Sequence, residues 1–318
     1  MIWFNRFIAW FLPVLPKSWV GLVARQYIAG EELDAAVSVS LDLNAQGSSV
    51  TLDLLGEDPS SREQCLRAVE TYEKVLERIA DAFINGGISL KPSHMGLKID
   101  DAFCRENIRR LLERAATHGI FVRIDMEDAS LCDPTLELFK SLASEFSNVG
   151  IVLQAYLRRS VDDINIMLPK NGGQSVNVRL CKGAYYWEKR STVYKNPDVV
   201  NRSYTFLLEK LFSAGAFVGI ATHDERLVFE ALRLVDRMEI PAHAYEFQML
   251  YGVEDELRKI LLAQGHPVRV YVPFGRELFA YSLRRLRENP QMVGHVMGNM
   301  GSLIRSQLVR SRLARSKR

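Results

Sequence analysis

The stretch NRSYTFLLEKLFSAGAFVGIATH, residues 201 to 223, decides the fold of this chain. Its first part has the character of a helix and ends at Gly215, a glycine of the kind expected just beyond a helical C-terminus. The apolar run FVGIA follows at once and has the length of one buried strand. A helix that leads directly into a buried strand predicts a fold in which the two kinds of element alternate.

The same alternation continues along most of the chain. Helical segments such as SSREQCLRAVETYEKVLERIADAF separate short apolar or β-branched runs. The runs are SVTLDLL (49–55), ISLKP (88–92), IFVRIDM (120–126), GIVLQAY (150–156), VNVRLCK (176–182), FVGIATH (217–223), HAYEFQM (243–249) and VRVYVPF (268–274). Eight parallel strands with intervening helices over roughly 250 residues predict an α/β fold, the (β/α)8 TIM-type barrel. The segment AYSLRRLRENP, residues 280–290, is predicted to be the eighth helix.

Polar side chains stand at the carboxyl end of every predicted strand. In barrels of this type the active site lies at that rim, where the loops that follow the strands converge. The exposure of strand ends explains any one of these residues equally well, but their presence on all eight strands predicts a site. They are Asp53 with Glu57, Lys91, Asp125, Gln154, Arg179 with Lys182, Thr222 with His223, Glu246 with Gln248, and Tyr271.

The composition narrows the classes of function. The 318 residues are 47% hydrophobic and 25% charged, which is typical of a folded globular chain. The net charge is only +3, without zinc-finger spacing or an aromatic-interleaved basic stripe, so no nucleic-acid partner is expected. Four cysteines without a CxxC pair indicate reduced thiols and predict neither a disulfide framework nor a metal site. Catalysis or the binding of a small ligand remains open.

The two ends of the chain are predicted to lie outside the barrel. Residues 1–48 are interpreted as a helical segment packed on the barrel, 49–290 as the catalytic barrel, and 291–318 as a basic C-terminal helix or tail. The aromatic-rich start has an uncharged run, Phe7 to Pro16, that is shorter than the roughly 20 residues of a membrane-spanning helix. Burial against the barrel and contact with a membrane interface both explain that run. No small-residue cleavage site follows it promptly, so a signal peptide is not expected.

Five motifs carry more information than the spacing alone. In chain order they are TLDLLGE (51–57), VRLCKGAYYW (178–187), ATHDE (221–225), YEFQMLYG (245–252) and YVPFGRELFAYSLRRLREN (271–289). Together they closely resemble the motifs of the proline dehydrogenase family, in its short monofunctional bacterial form. The resemblance implies FAD-dependent oxidation of L-proline to Δ1-pyrroline-5-carboxylate, the first step of proline catabolism. It leaves no room for the DNA-binding or aldehyde dehydrogenase modules of bifunctional relatives.

The resemblance implies a substrate site. Arg284 and Arg285 match the paired arginines that bind the substrate carboxylate, and the eighth helix that carries them is expected to lie over the substrate. A planar guanidinium fits a carboxylate in bidentate geometry, so the chemistry agrees with this assignment. Glu57 matches the residue that pairs with Arg284 and closes the site. The other substrate-binding residues implied are Lys91, as a third cation, and Tyr185, Leu250 and Tyr271, which pack on the pyrrolidine ring.

The resemblance also implies a flavin site at the rim. The chain has no GxGxxG fingerprint, so a Rossmann dinucleotide site is not supported. Arg179 and Gln154 are expected beside the isoalloxazine ring, where a cation stabilises the negative charge that develops on reduction. The remaining cofactor-binding residues implied are Lys182, Gly183 and Ala184 for the phosphate and ribityl region, Thr222 and His223 for the rest of the cofactor, and Met126 nearby.

The implied reaction is hydride transfer from C5 of proline to N5 of the flavin. Asp125, in RIDMED, matches the family's active-site aspartate, and with Arg179 it forms the predicted catalytic pair. Whether Asp125 acts as a base or a positioning group stays open, because a basic carboxylate needs a raised pKa that depends on burial. Tyr271 favours proline as the substrate, since hydroxyproline-oxidising relatives lack a bulky tyrosine there.

Two other functions fit the same barrel, and the motifs depart from the family pattern in two small ways. A Schiff-base aldolase on the same barrel would use a strand-end lysine, Lys91 or Lys182, and a flavin-binding sensor would keep the pocket without turnover. Asp224 stands where the family commonly has asparagine. The segment between Tyr271 and Arg284 is shorter than in bifunctional relatives.

The reduced flavin has to pass its electrons on, and in this family the acceptor is membrane quinone. The C-terminal segment IRSQLVRSRLARSKR, residues 304–318, carries basic residues and no acidic ones. Attraction to an anionic membrane surface and a solvated tail explain this segment equally well. The predicted location is therefore cytoplasmic, and peripheral contact with the inner face of the membrane stays an open alternative.

Overall fold

The computed structural model of the chain describes four ranges of residues: 27–56, 59–168, 176–185 and 187–277. Several predicted features lie outside the described residues. They are the segment 1–26, Glu57, the helix predicted over residues 280–290 with Arg284 and Arg285, and the basic segment 291–318. The predictions made for these features stay predictions.

Eight parallel strands form a closed barrel, in which each strand pairs with the next along the chain and the last pairs with the first. The strands are β1 Ser49–Leu54, β2 Gly86–Leu90, β3 Phe121–Ile124, β4 Val149–Gln154, β5 Asn177–Cys181, β6 Phe217–Ala221, β7 Tyr245–Leu250 and β8 Val268–Phe274. The predicted (β/α)8 barrel is confirmed. β2 begins earlier than the sequence pattern indicates, because Gly86 and Gly87 have no side chain to signal a strand, yet they pair with β1 in the barrel.

Within the described ranges, one α-helix lies between each pair of consecutive strands, and a further helix precedes β1. The α-helices of the described residues are α1 Leu33–Ala45, α2 Arg62–Asp81, α3 Asp101–Thr117, α4 Cys132–Ala143, α5 Ser160–Met167, α6 Pro197–Ser213, α7 Glu225–Arg237 and α8 Asp255–Ala263. Gly215 follows α6 with a φ of +70°, the left-handed conformation predicted from its position beyond the helix. This residue turns the chain directly into β6.

The hydrophobic core lies between the strands and the surrounding helices. Leu52 and Phe247 on the strands and Tyr72 and Tyr204 on the helices are fully buried there. The Tyr72 hydroxyl donates to the backbone oxygen of Ser89 at 2.7 Å, so the polar end of this ring is satisfied. Burial of each large apolar side chain contributes about 1.5–3 kcal/mol. This layer fixes the positions of the strands and therefore of the residues at their ends.

The inside of the barrel is strongly polar, whereas branched aliphatic side chains usually fill barrels of this type. Arg123 on β3 crosses the interior and donates from Nη1 to the backbone oxygens of Ile151 and Asn177, at 2.9 and 2.8 Å. A Cβ at Gly150 would lie 2.4 Å from Nη1 of this arginine. A glycine on a neighbouring strand therefore makes room for a long polar side chain inside the barrel.

The described part of the N-terminal segment packs on the outside of the barrel. Helix α1 lies against β1 and β8 and buries Ala36, Val37 and Leu43. Across the described ranges, no helix is both long and apolar enough to cross a membrane.

Candidate active site at the carboxyl rim of the barrel

Asp125, which follows β3, is the centre of a hydrogen-bonded group at the rim. Its Oδ1 accepts from Nη1 of Arg179 at 2.9 Å and from Oγ of Ser89 at 2.6 Å, and its Oδ2 accepts from the hydroxyl of Tyr271 at 3.2 Å. The guanidinium also lies over the Tyr271 ring, with Cζ 5.2 Å from the ring centroid. Side chains from β2, β5 and β8 thus converge on one carboxylate.

A second set of contacts holds Arg179 from another direction. Its Nε donates to Oε1 of Gln248 at 2.5 Å, and Nε2 of Gln248 donates to Oε1 of Glu246 at 2.6 Å. Nε of Arg269 donates to the same Glu246 oxygen at 2.6 Å. The arginine, glutamine and glutamate are buried, and hydrogen bonds to ionised groups are stronger than neutral ones. A continuous chain of contacts therefore runs from the rim toward the start of β8.

Lys91 and Asp53 form a buried ion pair beside this group. Nζ of the lysine lies 2.9 and 3.1 Å from the two carboxylate oxygens, and the side chains are 9% and 0% exposed. Burial raises the pKa of Asp53, the Lys91 ammonium opposes part of that rise, and the Asp125 carboxylate adds to it. Lys91, which the family resemblance assigns to the substrate carboxylate, thus has a carboxylate partner within the chain.

Lys182 and Asp224 form a second ion pair, between the ends of β5 and β6. Nζ lies 2.6 Å from Oδ2, and the side chains are 37% and 27% exposed. Asp224 also caps α7, since its Oδ1 accepts from the backbone nitrogen of Arg226 at 3.0 Å, and Nδ2 of Asn201 donates to its Oδ2 at 3.1 Å. Burial alone would raise the pKa of Asp224, but its bonds to Lys182 and Asn201 lower that pKa below the ordinary value.

Thr222 and His223 link the ends of β6 and β7. Thr222 is buried, and its Oγ1 accepts from the backbone nitrogen of Asp224 at 3.1 Å. Nε2 of His223 accepts from the backbone nitrogen of Leu250 at 2.9 Å. A ring nitrogen that accepts a hydrogen bond carries no proton, so this histidine is neutral, with its proton on Nδ1.

Gln154 presents an unsatisfied oxygen inside the site. Its Nε2 donates to the backbone oxygens of Met126 and Glu127, at 2.8 and 2.9 Å. Its Oε1 is buried and has no hydrogen-bond partner among the described residues. A buried acceptor without a donor costs about 1–3 kcal/mol. A bound group with an N–H donor would relieve that cost.

The segment after β5 runs close to an aromatic ring. Gly183 has a φ of +118°, a conformation that side chains rarely adopt, and a Cβ at this position would lie 2.2 Å from the ring of Tyr156. Ala184 and Tyr185 follow it and are half-buried. The Tyr185 ring meets Trp187 edge to face, with centroids 5.0 Å apart.

Hydrogen bonds and ion pairs join most of the residues assigned from sequence into several groups. Asp125, Arg179 and Tyr271 form one group, and Asp53, the partner of Lys91, is close enough to Asp125 for that carboxylate to raise its pKa. Lys182 and Thr222 both contact Asp224, and the adjacent His223 accepts from the backbone of Leu250. Gln154 donates to the backbone of Met126. Gly183, Ala184 and Tyr185 lie in the segment after β5.

Sequence reasoning missed several of these contacts. It gave Ser89 no place in the site, and it treated Asp53, Glu246 and Gln248 only as polar strand ends. The placement of Glu246 at a carboxyl end is wrong, because this residue is the second of β7 and lies near the amino end of the strand. A signal was present, because Glu246 and Gln248 alternate with apolar neighbours along β7. Alternate residues of a strand face the same side, so both point into the barrel.

The arrangement suits the stabilisation of negative charge, because the side chains around Arg179 are buried. A buried guanidinium held by a carboxylate, a serine and a glutamine is a preorganised cation. Lys91 and Lys182 each form an ion pair with an aspartate, so the nitrogen that a Schiff base would need is held by a carboxylate in both cases. This argues against the Schiff-base aldolase. The parts of the chain that the structure describes hold no group of three or more His, Cys, Asp or Glu side chains arranged for a metal ion.

A closed parallel barrel with a buried polar centre at its carboxyl rim has the organisation of a (β/α)8-barrel enzyme. The family model for proline dehydrogenase matches residues 36–297. The chain belongs to the proline dehydrogenase family and is an oxidoreductase that acts on CH–NH donors.

Curated relatives and solved structures agree with this assignment. The chain is 35% identical over 278 residues to proline dehydrogenase 1 of Bacillus subtilis (strain 168), covering 87% of this chain and 90% of the relative. It is 36% identical over 286 residues to proline dehydrogenase of Deinococcus radiodurans, with the same two shares. A solved structure of proline utilization A from Bdellovibrio bacteriovorus, inactivated by N-propargylglycine, is 28% identical with a TM-score of 0.79. That match covers 84% of this chain and 32% of the larger protein.

Proposed function

We propose that this chain oxidises L-proline to Δ1-pyrroline-5-carboxylate with FAD, by hydride transfer from C5 of proline to N5 of the flavin, and that the electrons pass on to membrane quinone. Membership of the proline dehydrogenase family supports the substrate and the first step of proline catabolism. The observation that carries the proposal is the bonded group of Asp125, Arg179 and Tyr271 at the rim.

The residues at the rim fit a flavin. FAD, when bound, supplies the hydride acceptor, and its ring system carries an N–H that can donate to the buried, unpaired Oε1 of Gln154. Arg179 contributes a fixed positive charge for the negative charge that develops. Lys182 is half-exposed and suits the phosphate region. We place the rest of the cofactor against Met126, Gly183, Ala184, Thr222 and His223.

We assign Asp125 to positioning rather than to proton abstraction. A carboxylate has about four lone-pair positions, and donors from Arg179, Ser89 and Tyr271 occupy three of them. These bonds orient the guanidinium and the tyrosine ring with respect to each other. Loss of the carboxylate would free both partners, so its contribution is to the geometry of the pocket.

The substrate site is proposed to combine described and undescribed residues. Arg284 and Arg285 would hold the carboxylate, with Glu57 pairing with Arg284, and all three lie outside the described residues. Lys91 would act as a third cation while it stays paired with Asp53. The side chains proposed to contact the pyrrolidine ring are Tyr185, Leu250 and Tyr271.

Anaerobic flavin reduction tests the proposal directly. The purified chain, saturated with FAD, is mixed with L-proline without oxygen, and the flavin absorbance is followed. We expect bleaching with L-proline and none with the same concentration of D-proline. An oxidised flavin after prolonged incubation with L-proline would favour the sensor. As a second arm, N-propargylglycine, which inactivates proline utilization A from Bdellovibrio bacteriovorus, is expected to inactivate this chain as well. Added proline should slow that inactivation if both compounds bind the same site.

Electron transfer to quinone requires contact with a bilayer. The basic segment 304–318 and the aromatic-rich start are the proposed contacts for an otherwise cytoplasmic protein, and both lie outside the described residues. Sedimentation with anionic vesicles, with and without residues 304–318, measures this contact. Equal sedimentation of both forms would assign no role to the basic segment.

A further inference from the structure

Gln248 occupies an unusual place between two charged groups inside the barrel. It is 5% exposed, and its amide lies between the guanidinium of Arg179 and the carboxylate of Glu246. Only one orientation of the amide satisfies both neighbours, because its oxygen must accept from the arginine and its nitrogen must donate to the glutamate. The observed contacts have that orientation. The amide group is therefore fixed at both ends.

The strand order explains how these side chains meet. Arg179 lies on β5 and Gln248 on β7, so β6 separates them in the barrel. On β6, Gly219 is the register partner of both Arg179 and Glu246. A Cβ at Gly219 would lie 2.4 Å from Nε2 of Gln248. The glycine leaves the space through which the arginine and the glutamine reach each other across an intervening strand.

The far end of the chain of contacts is anchored to the backbone. Glu246 Oε1 accepts from Nε of Arg269 at 2.6 Å, and Nη1 of that arginine donates to the backbone oxygen of Val50 at 2.7 Å. Each charged group in this series meets an opposite charge or a polar partner. The position of Gln248 is thus determined by the strands themselves and does not depend on loops or solvent.

We propose that Gln248 is a positioning residue for Arg179, and that Glu246 and Arg269 hold Gln248 in place. Arginine has a long flexible stem, and Asp125 and Ser89 fix its Nη1 only. The bond from Nε to Gln248 fixes the other edge of the guanidinium plane. Gln248 therefore determines the direction in which the cation faces. The inference rests on the proposed function, in which Arg179 stabilises negative charge on the flavin.

The test compares the FAD-loaded wild type with Gln248→Met and Gln248→Glu. Methionine keeps the length of the side chain and removes both hydrogen bonds. Glutamate keeps the acceptor for Arg179 but sets a second carboxylate against Glu246. The control is Arg258→Met, which removes a buried arginine on α8 whose bonds go to Ser48, Gln46 and Asp255. The flavin midpoint potential without substrate, kcat, KM for proline and Tm are measured for each.

For Gln248→Met we expect a flavin potential more negative than that of the wild type, since the cation is no longer held beside the cofactor. The kcat should fall tenfold or more, whereas KM should change less than threefold. Gln248→Glu should also lower the flavin potential, because the negative charge of the new carboxylate offsets the positive charge of Arg179. Arg258→Met should lower Tm and leave the potential and kcat near the wild-type values.

Two results would overturn the inference. One is an unchanged potential and kcat in Gln248→Met beside a loss of Tm like that of Arg258→Met, which would make Gln248 purely structural. The other result concerns Gly219→Ala, in which the new methyl group displaces the amide of Gln248 and every polar group is kept. This variant replaces Gln248→Met in the test if Gln248→Met does not fold. An unchanged potential in Gly219→Ala would contradict the inference. Bleaching of the wild type by proline tests the proposed function separately, because the potentials are measured without substrate.

Discussion

Lys91 and Lys182 form the same kind of ion pair in two different surroundings. Lys91 follows β2 and meets Asp53 with both side chains almost fully buried, at 9% and 0% exposure. Lys182 follows β5 and meets Asp224 with 37% and 27% exposure, although its contact of 2.6 Å is the shorter one. Distance alone would rank the second pair as the stronger. Burial reverses that ranking, since removal of one partner leaves the other charge without water.

The two pairs therefore serve different purposes. The Lys91 pair fixes part of the barrel interior next to Asp125, and breaking a buried pair costs about 3–5 kcal/mol. The Lys182 pair remains partly hydrated, and such pairs contribute about 0–1 kcal/mol. Because this pair costs little to break, we propose that the second lysine exchanges its carboxylate for a phosphate of the proposed FAD. The first cannot do so without destabilising the barrel.

Asp53→Asn should give the largest effect. The amide has the shape of the carboxylate but removes its charge from beside the buried Lys91 ammonium. We expect a loss of about 3–5 kcal/mol in the free energy of unfolding, measured by urea denaturation. Replacement of both residues, Asp53→Asn with Lys91→Met, should recover much of this loss. A single variant as stable as the wild type would show that burial does not decide the comparison.

The second-largest expected effect is a pH dependence of the free energy of unfolding that arises from His94. Burial, with a contribution from the positive charge of Lys91, lowers its pKa from 6.5 to about 4. The unfolded chain therefore binds the proton at higher pH than the folded chain, so stability falls as the pH decreases from about 6.5 to about 4. At about 1.4 kcal/mol per pH unit the loss approaches roughly 3 kcal/mol at the acidic end. Above pH 6.5 this residue adds no pH dependence.

Unfolding curves of His94→Asn between pH 4 and pH 7 measure this contribution, since asparagine does not titrate in that range. The slope of stability against pH should be smaller than in the wild type. His243→Asn, which removes an exposed histidine from the Ala242–Ala244 turn, serves as the control. Equal slopes for His94→Asn and the wild type would contradict the assignment of acid sensitivity to His94.

Asp224→Asn should give the smallest change in stability. Asparagine can still accept from the backbone nitrogen of Arg226, so the cap of α7 is kept and the cost should stay below about 1 kcal/mol. Lys182 then loses its carboxylate partner, and we expect FAD to bind about fivefold more tightly, which corresponds to about 1 kcal/mol. Titration of the flavin-free chain with FAD measures the Kd.

The matched control for Asp224→Asn is Asp198→Asn, which removes one negative charge from the first turn of the neighbouring helix α6. It separates the loss of a specific partner from a general change in charge. A Kd lowered equally by both substitutions would mean that FAD binding responds to the net charge of the protein and not to the release of Lys182 from Asp224.

The sequence by itself determined the barrel, because each helix and each apolar strand run can be recognised from its own residues. Gly215 could be placed beyond a helix and FVGIA in a strand without knowledge of any distant residue. The sequence also placed most of the polar residues near the carboxyl ends of their strands, since the end of each strand follows from the end of its apolar run. Glu246 is an exception, because it is the second residue of β7 and lies near the amino end of that strand. The five motifs of the sequence were enough to indicate the family.

Only the tertiary structure decided which of these residues touch. Lys91 and Asp53 are 38 positions apart, and Arg179 and Gln248 are 69 apart. Their contacts depend on the register of strands around a closed barrel and on the missing side chain of Gly219, neither of which leaves a local pattern. The surroundings of the two lysines were also decided by the tertiary structure. Burial and neighbouring charges determine whether the ion pair of each lysine with its aspartate is fixed or exchangeable. Residue types are local properties of a chain, whereas distances and desolvation arise only when distant segments pack together.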